Sequence, residues 1–254
     1  MMQSDSTKRF SDRVDNYVKY RPGYPPEVIE FLQDACQLSG SSVIADVGAG
    51  TGIFTKLLLD AGYRVYAVEP NQPMRDAAVK QLATYDKFTP VDGTAEATTL
   101  ADKSIDLIVC AQAFHWFNDA KTKVEFSRIL KPDAKAALIW NNRLADVDDF
   151  AIAYEGLLKR DGIDYNKVNH RNVKDIDFKA FFKNGVYTVT KYTNQQIFDL
   201  DGLVGRAYSS SYVPPQDTEA GQQFLVLLKD IFDRYNVDGK VAFHYQTEIY
   251  LGGV

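Results

Sequence analysis

Val43-Ile44-Ala45-Asp46-Val47-Gly48-Ala49-Gly50-Thr51-Gly52 is the stretch on which the fold turns. An apolar run from Ser42 to Val47 opens directly into three glycines, and helical spacing resumes over Ile53 to Asp60, closed by Gly62. So short and apolar a run reads as a strand buried on both faces, the kind a parallel sheet needs. Glycines belong where the backbone turns sharply and offers its N–H groups to a ligand. The next strand, Arg64 to Val68, ends at Glu69, which stands 21 residues after Gly48. An acid at that spacing is placed to accept hydrogen bonds from ribose hydroxyls. Strand, turn and acid together predict a nucleoside-binding site. A glycine turn that only packs a helix on a strand is the plainer reading of the triplet by itself.

On the N-terminal side, Pro25 and Pro26 suit the first turn of a helix with Val28, Phe31, Leu32 and Ala35 on its apolar face and Gly40 as its stop. On the C-terminal side the pattern keeps alternating. A helix from Pro73 to about Leu82 precedes strands at Phe88 to Val91 and Ile105 to Ala111. A helix at Lys121 to Leu130 then leads to a strand at Ala136 to Trp140. Such alternation implies right-handed crossovers and a sheet covered on both faces.

The second half has a helix from Phe150 to Lys159, a charged irregular segment to about Lys183, and a strand from Tyr187 to Phe198. A helix at Asp201 to Tyr208 and a helical stripe of Phe224, Leu227, Leu228, Ile231 and Phe232 follow. Val241, Phe243, Tyr245, Thr247, Ile249 and Leu251 alternate with Ala242, His244, Gln246 and Glu248 as a half-buried strand. The expected fold is α/β: a doubly wound, mostly parallel, seven-stranded Rossmann-like sheet. We read residues 1–254 as a single domain, with residues 143–183 and 208–216 capping the C-terminal edge of the sheet.

Composition narrows the partners. Among 254 residues, 29 Lys and Arg face 34 Asp and Glu, a net charge of −5, which disfavours a nucleic-acid partner. Cys36 and Cys110 are too few for a disulfide framework or a Cys-rich zinc site, and with His115, His170 and His244 they form no zinc-like spacing, so no metal is expected. Met1 to Asp12 lacks a signal-peptide pattern, and no run approaches the ~18 apolar residues of a membrane helix. These features predict a cytoplasmic protein with free thiols and no membrane partner.

The glycine spacing separates nucleosides. The pyrophosphate fingerprint is G-x-G-x-x-G, whereas Gly48, Gly50 and Gly52 make G-x-G-x-G, and Asp46 precedes them by two residues. An acid there suits a cationic amino-acid tail better than a pyrophosphate. On Asp46 to Gly52, Val68-Glu69-Pro70-Asn71, Gly93-Thr94-Ala95-Glu96 and Gln112-Ala113-Phe114-His115-Trp116-Phe117, the chain resembles the class I S-adenosylmethionine-dependent methyltransferases. Tyr17-Val18-Lys19-Tyr20-Arg21-Pro22 and Ser209-Ser210-Ser211-Tyr212-Val213-Pro214 make it most similar to the branch containing trans-aconitate methyltransferase.

The resemblance implies that Gly48, Ala49, Gly50 and Gly52 meet the methionine part of S-adenosylmethionine with Asp46, and that Glu69 holds the ribose. Pro70, Met74, Thr94, Ala95 and Glu96 would surround the adenine, although many relatives carry Asp where Thr94 stands. Gln112 and Ala113 would lie beside the reacting methyl, with Tyr17 and Arg21 closing an N-terminal helix over the cofactor. Lys131-Pro132-Asp133-Ala134 replaces the usual Lys-Pro-Gly-Gly turn.

His115 has two readings: a general base for a hydroxyl or amine acceptor, or a ring that orients its loop. A carboxylate acceptor is already a nucleophile and needs no base. Arg21 and Arg143 are candidate partners for a carboxylate. Trp116, Trp140, Tyr208 and Tyr212 are candidates for the wall of a substrate slot, and His170 for a cap or substrate-side position. His244 reads as a surface strand residue, and Asp146, Asp148 and Asp149 as a solvated helix start. The expected activity is in-line methyl transfer to a small molecule with a carboxylate. A nicotinamide-dependent oxidoreductase and a non-catalytic S-adenosylmethionine-binding protein are the alternatives.

Overall fold

The computed structural model describes residues 18–117, 119–163, 165 and 173–254. Its strands are β1 (Val43–Val47), β2 (Arg64–Val68), β3 (Phe88–Val91), β4 (Ile105–Ala111), β5 (Leu130–Arg143), β6 (Thr188–Phe198) and β7 (Val241–Gly252). They form one seven-stranded sheet in the order β3-β2-β1-β4-β5-β7-β6. Strands β1 to β5 pair in parallel, and β7 runs antiparallel to both β5 and β6. The expected doubly wound, mostly parallel Rossmann-like sheet is the one observed.

Side-chain alternation divides the core between two faces. Ala45, Val47, Ile108, Cys110, Ala136, Leu138 and Trp140 pack on one face. Ile44, Leu107, Val109, Ala137, Ile139, Ile249 and Leu251 pack on the other. That second face is covered by α1 (Glu27–Cys36), α2 (Ile53–Asp60) and α3 (Gln72–Leu82) through Val28, Leu32, Phe54, Leu58 and Leu82. The first face is covered by α4 (Ala120–Ile129) and α6 (Asp175–Phe181) through Phe126, Ile129, Phe178 and Phe181. A third cluster packs α5 (Asp149–Asp161), α7 (Leu200–Tyr208) and α8 (Glu219–Tyr235) against Val241, Phe243 and Tyr245. Each fully buried Phe or Leu in these layers contributes roughly 2 kcal/mol by removal of apolar area from water.

Helix starts follow local chemistry. Asn71 caps α3 by accepting from Met74 N (3.0 Å), Asp119 caps α4 through Thr122 N (2.8 Å), and Asp199 caps α7 through Gly202 N (2.8 Å). Asp148, from the acidic run, caps α5 through Ala151 N at 2.7 Å. His244 is half-exposed on β7, with Nε2 3.8 Å from Asp148 Oδ2.

Two elements differ from expectation. Strand β5 begins at Leu130 rather than Ala136, because Leu130 already pairs with Ile105 before a register shift. Within it Asp133, at φ 63°, takes the left-handed position where the usual turn has glycine; Asp tolerates that region better than most residues. Helix α6 lies in the segment read as irregular. Seven residues give too little periodicity to detect, and most of such a helix's stability comes from tertiary packing, here of Phe178 and Phe181. Phe178 and Phe181 of α6 pack over the first face of the sheet.

Candidate active site

The sheet order reverses at β1, which β2 flanks on one side and β4 on the other, and ligands in open α/β sheets bind at such a crossing. The glycine turn ties the end of β1 to the end of β2. Gly48 N and Ala49 N both donate to Val68 O, at 2.9 and 3.1 Å. Gly50 N donates to Glu69 Oε2 (2.8 Å) and Asn71 N to Glu69 Oε1 (2.9 Å), so one carboxylate pins both loops. Arg75 Nη1 donates to Glu69 O at 2.6 Å. Burial pushes the Glu69 carboxyl up, against the pull of the two backbone N–H groups and Arg75.

Glu69→Gln is expected to destabilise the fold by about 1–3 kcal/mol, because its amide NH2 must face one of those N–H donors and strand it. Chemical denaturation checks this, and a variant as stable as wild type would contradict it.

Asp46 is 1% exposed at the end of β1. Its Oδ2 accepts from Thr55 Oγ1 at 2.6 Å, while Oδ1 is buried with no hydrogen-bond partner. Burial pushes this carboxyl up to about 7, with the Thr55 bond opposing the rise and the Glu69 charge adding to it. A buried acceptor without a donor is costly and calls for a partner, best a cation. The methionine ammonium of S-adenosylmethionine has that chemistry, and Gly50 beside it leaves open space where a Cβ would stand. On these two observations the residues fit the cofactor. Asp46, Gly48, Ala49 and Gly50 would hold its amino-acid part, and Glu69 its ribose.

These residues border a cavity of about 310 Å³. Pro70, Met74, Thr94, Ala95 and Glu96 line it on the β2 and β3 side. Gln112, Ala113, His115 and Trp116 line it beyond β4, where the His115 and Trp116 rings lie 4.7 Å apart. Gln112 holds a left-handed φ of 57°, a conformation costing about 1 kcal/mol or more in a non-glycine residue. Its N bonds Ile139 O at 2.8 Å and its Nε2 bonds Asn141 O at 3.2 Å, which keep it there.

Residues 20–23 cross the cavity. Arg21 Nη2 donates to Ser209 O (3.0 Å), Gln196 Nε2 to Tyr20 O (3.1 Å), and Asn141 Nδ2 and Asn194 Nδ2 both to Gly23 O (3.0 and 2.9 Å).

The far end carries Arg143, Tyr165, Arg206, Tyr212 and Tyr245. Arg143 Nη2 lies 2.5 Å from Glu155 Oε2, and Tyr165 Oη donates to the same oxygen at 2.8 Å. The Arg143 guanidinium also sits 4.9 Å over the Tyr154 ring. Burial would push the Tyr212 phenol up, but the positive charges of Arg206, Arg21 and Arg143 outweigh it and hold the phenol below its usual range. The cavity is therefore acidic beside β1 and β2 and basic beside β5 and β7.

Three expected site residues lie off the cavity. Gly52 caps α2 at φ 84°, and a Cβ there would meet Leu82 Cδ1 at 2.8 Å, so it serves the packing of α2 on α3. Trp140 points into the core, its ring among Phe114, Phe178 and Tyr250. Tyr208 is buried against Phe224 and donates its hydroxyl to Gly221 O at 2.7 Å. Tyr17 and His170 lie outside the described residues. The cavity also includes Asn141, Tyr165, Arg206 and Tyr245, which sequence reasoning passed over. Arg206 had one available signal, a charge three residues after Leu203 and one before Ala207, on the apolar side of its helix.

Among the described residues no group of three or more His, Cys, Asp or Glu is arranged to hold a metal ion. No helix among them is long and apolar enough to cross a membrane.

Residues 45–138 match the family described as methyltransferase domain. An uncharacterized methyltransferase of Schizosaccharomyces pombe is 37% identical over 140 residues, covering 54% of this chain and 53% of that protein. One of Mycobacterium bovis is 37% identical over 139 residues, covering 55% and 54%. The chain thus spans about half the length of the curated relatives it matches. Among solved structures, a provisionally assigned type II methyltransferase from Anaeromyxobacter dehalogenans superposes with a TM-score of 0.65 at 19% identity, covering 92% of this chain and 98% of that one. Phosphoethanolamine N-methyltransferase 2 of Haemonchus contortus, solved with S-adenosyl-L-methionine, superposes with a TM-score of 0.55 at 13% identity, covering 98% and 58%. The chain has the Rossmann-like fold of these methyltransferases.

Proposed function

We propose that this chain transfers a methyl group from S-adenosylmethionine to a small-molecule acceptor bearing a carboxylate. The observation that carries the donor half is the partnerless Oδ1 of Asp46 beside the Gly50 turn and Glu69, within the segment that matches the methyltransferase domain. The acceptor half rests on the basic far end, where Arg143 and Arg206 outnumber Glu155 and, with Arg21, draw down the Tyr212 phenol.

When bound, S-adenosylmethionine supplies an electrophilic methyl on a positively charged sulfur. The contribution of the chain is alignment and exclusion of water. Gln112 and Ala113 line the cavity just past β4, and residues 20–23 are tied across it by hydrogen bonds. An ionised carboxylate brings its own electron pair, so no side chain has to remove a proton. His115 accordingly orients its loop beside Trp116. The sequence motifs Tyr17 to Pro22 and Ser209 to Pro214, joined through Arg21 and Ser209, favour the trans-aconitate methyltransferase-like branch. A cytoplasmic location accompanies this reading.

Two measurements test it. Calorimetry is expected to show binding of S-adenosylmethionine and none of NAD; the reverse would overturn the proposal. A screen of small acids, amines and phenols for release of S-adenosylhomocysteine is expected to give turnover with acids. Turnover confined to amines or phenols would replace the acceptor class and return His115 to the role of base.

A further inference from the structure

We propose that Arg206, rather than Arg143, is the side chain that pairs with the anionic group of the acceptor. The inference rests on the methyl-transfer reading for the purpose of that anion, but on the surroundings of Arg206 for the pairing itself. Arg206 lies on α7, is 5% exposed, and lines the cavity. Its guanidinium stays charged at any accessible pH. Nε donates to Tyr245 Oη at 3.3 Å and Nη1 to Ser210 Oγ at 3.0 Å, both neutral groups, and its Cζ lies 5.8 Å from the centre of the Phe243 ring. Among the described residues it forms no ion pair. A buried cation with only neutral partners is expensive to keep, and an anion delivered by a ligand offsets that cost.

Arg143 faces the same end but has spent its charge. Glu155 Oε2 lies 2.5 Å from its Nη2, and Tyr165 reinforces that oxygen, so an acceptor anion would have to compete with a buried carboxylate. On Arg206, by contrast, Tyr245 and Ser210 fix the fork through Nε and Nη1 and leave Nη2 for a planar carboxylate. Tyr245 is itself held. Its hydroxyl donates to Gln196 Oε1 at 3.0 Å, and Gln196 Nε2 bonds Tyr20 O at 3.1 Å. Arg206 is therefore oriented by the same hydrogen-bonded chain that fastens the segment across the cavity.

The test is calorimetric titration of the full chain, with and without S-adenosylhomocysteine, by aliphatic and aromatic mono- and dicarboxylic acids, each beside its primary amide. Acids and not amides are expected to bind wild type. Arg206→Gln should weaken the tightest acid about 100-fold, in keeping with loss of a buried charge-assisted pair. Arg206→Lys should recover part of that loss, and Tyr245→Phe should cost a smaller, roughly tenfold factor through orientation alone. Equal acid affinity in wild type and Arg206→Gln, amides binding as well as acids, or no acid binding to wild type would each overturn the proposal. Thermal melts show whether Arg206→Gln folds. If it does not, Arg206→Lys decides, since unchanged acid affinity there contradicts a planar fork. Unchanged S-adenosylhomocysteine affinity across the variants keeps this question separate from the donor site. Failure of wild type to bind S-adenosylhomocysteine sinks the methyltransferase reading instead, and the titrations without it still decide Arg206.

Discussion

Asp46→Asn is expected to make the ligand-free protein more stable at pH 8 by about 2 kcal/mol while weakening S-adenosylhomocysteine binding about 100-fold. Both effects come from one buried carboxyl. Its folded pKa is about 7, against about 3.9 in an unfolded chain. Below pH ~4 both states hold the proton and the group costs nothing. Between there and about 7 the unfolded chain has released a proton that the folded state retains, so stability falls as pH rises; above that the loss is complete. Asn removes this dependence and keeps an oxygen for the Thr55 hydroxyl.

The ligand's ammonium prefers the ionised carboxylate, so wild-type affinity should rise from pH 6 and level off above about 7, and the Asn variant should show no such rise. Denaturation at pH 5 and pH 8, with calorimetry across the same range, checks both. A variant less stable than wild type at pH 8, or one that binds equally well, places the site wrongly. A stabilising change that removes binding is what a residue kept for function produces.

Gly48→Ala is expected to lower stability by about 3 kcal/mol, a fall in Tm of roughly 6–12 °C, and to abolish turnover. Gly48 holds φ 75°, and a Cβ there would lie 2.5 Å from Ala113 Cβ and 3.2 Å from Phe117 Cε1. The turns after β1 and β4 must part to admit it, which opens the crossing where the cavity lies. Gly50→Ala makes the useful contrast. Its φ is 56° and nothing stands within 4 Å, so the fold pays only about 1 kcal/mol for the left-handed backbone. Its methyl enters the cavity instead. Melting curves and donor binding together should separate the two: Gly48→Ala loses both, whereas Gly50→Ala keeps most of its stability and loses affinity. Matching melts for Gly48→Ala and wild type would show that the strand ends are not packed as described.

What was legible in the sequence was local in origin. The turn from Val47 to Gly52, the helix start at Asp146 to Asp149, and the period-two run from Val241 to Leu251 all depend on residues close together in the chain. Their backbone preferences act within a few residues, and so they determined the sheet, its winding and the acid at the end of β2. Helix α6 escaped because its seven residues gain their stability from Phe178 and Phe181 entering a core built by β4 and β5. Trp140 stood inside β5 and Tyr208 at the end of α7, yet what covers an aromatic ring is decided by distant segments: Phe178 for one, the Gly221 carbonyl for the other.

Charge pairing is equally non-local. Arg143 and Arg206 are alike as letters, and only the approach of Glu155 to the first leaves the second without a carboxylate partner among the described residues. The sequence by itself determined the class of sheet and the acids at its donor end, because strand period, glycine turns and caps are short-range effects. Only the tertiary structure decided that Arg206 faces the cavity with no carboxylate partner among the described residues, because the energy of a buried charge depends on every group the fold brings within a few ångströms of it.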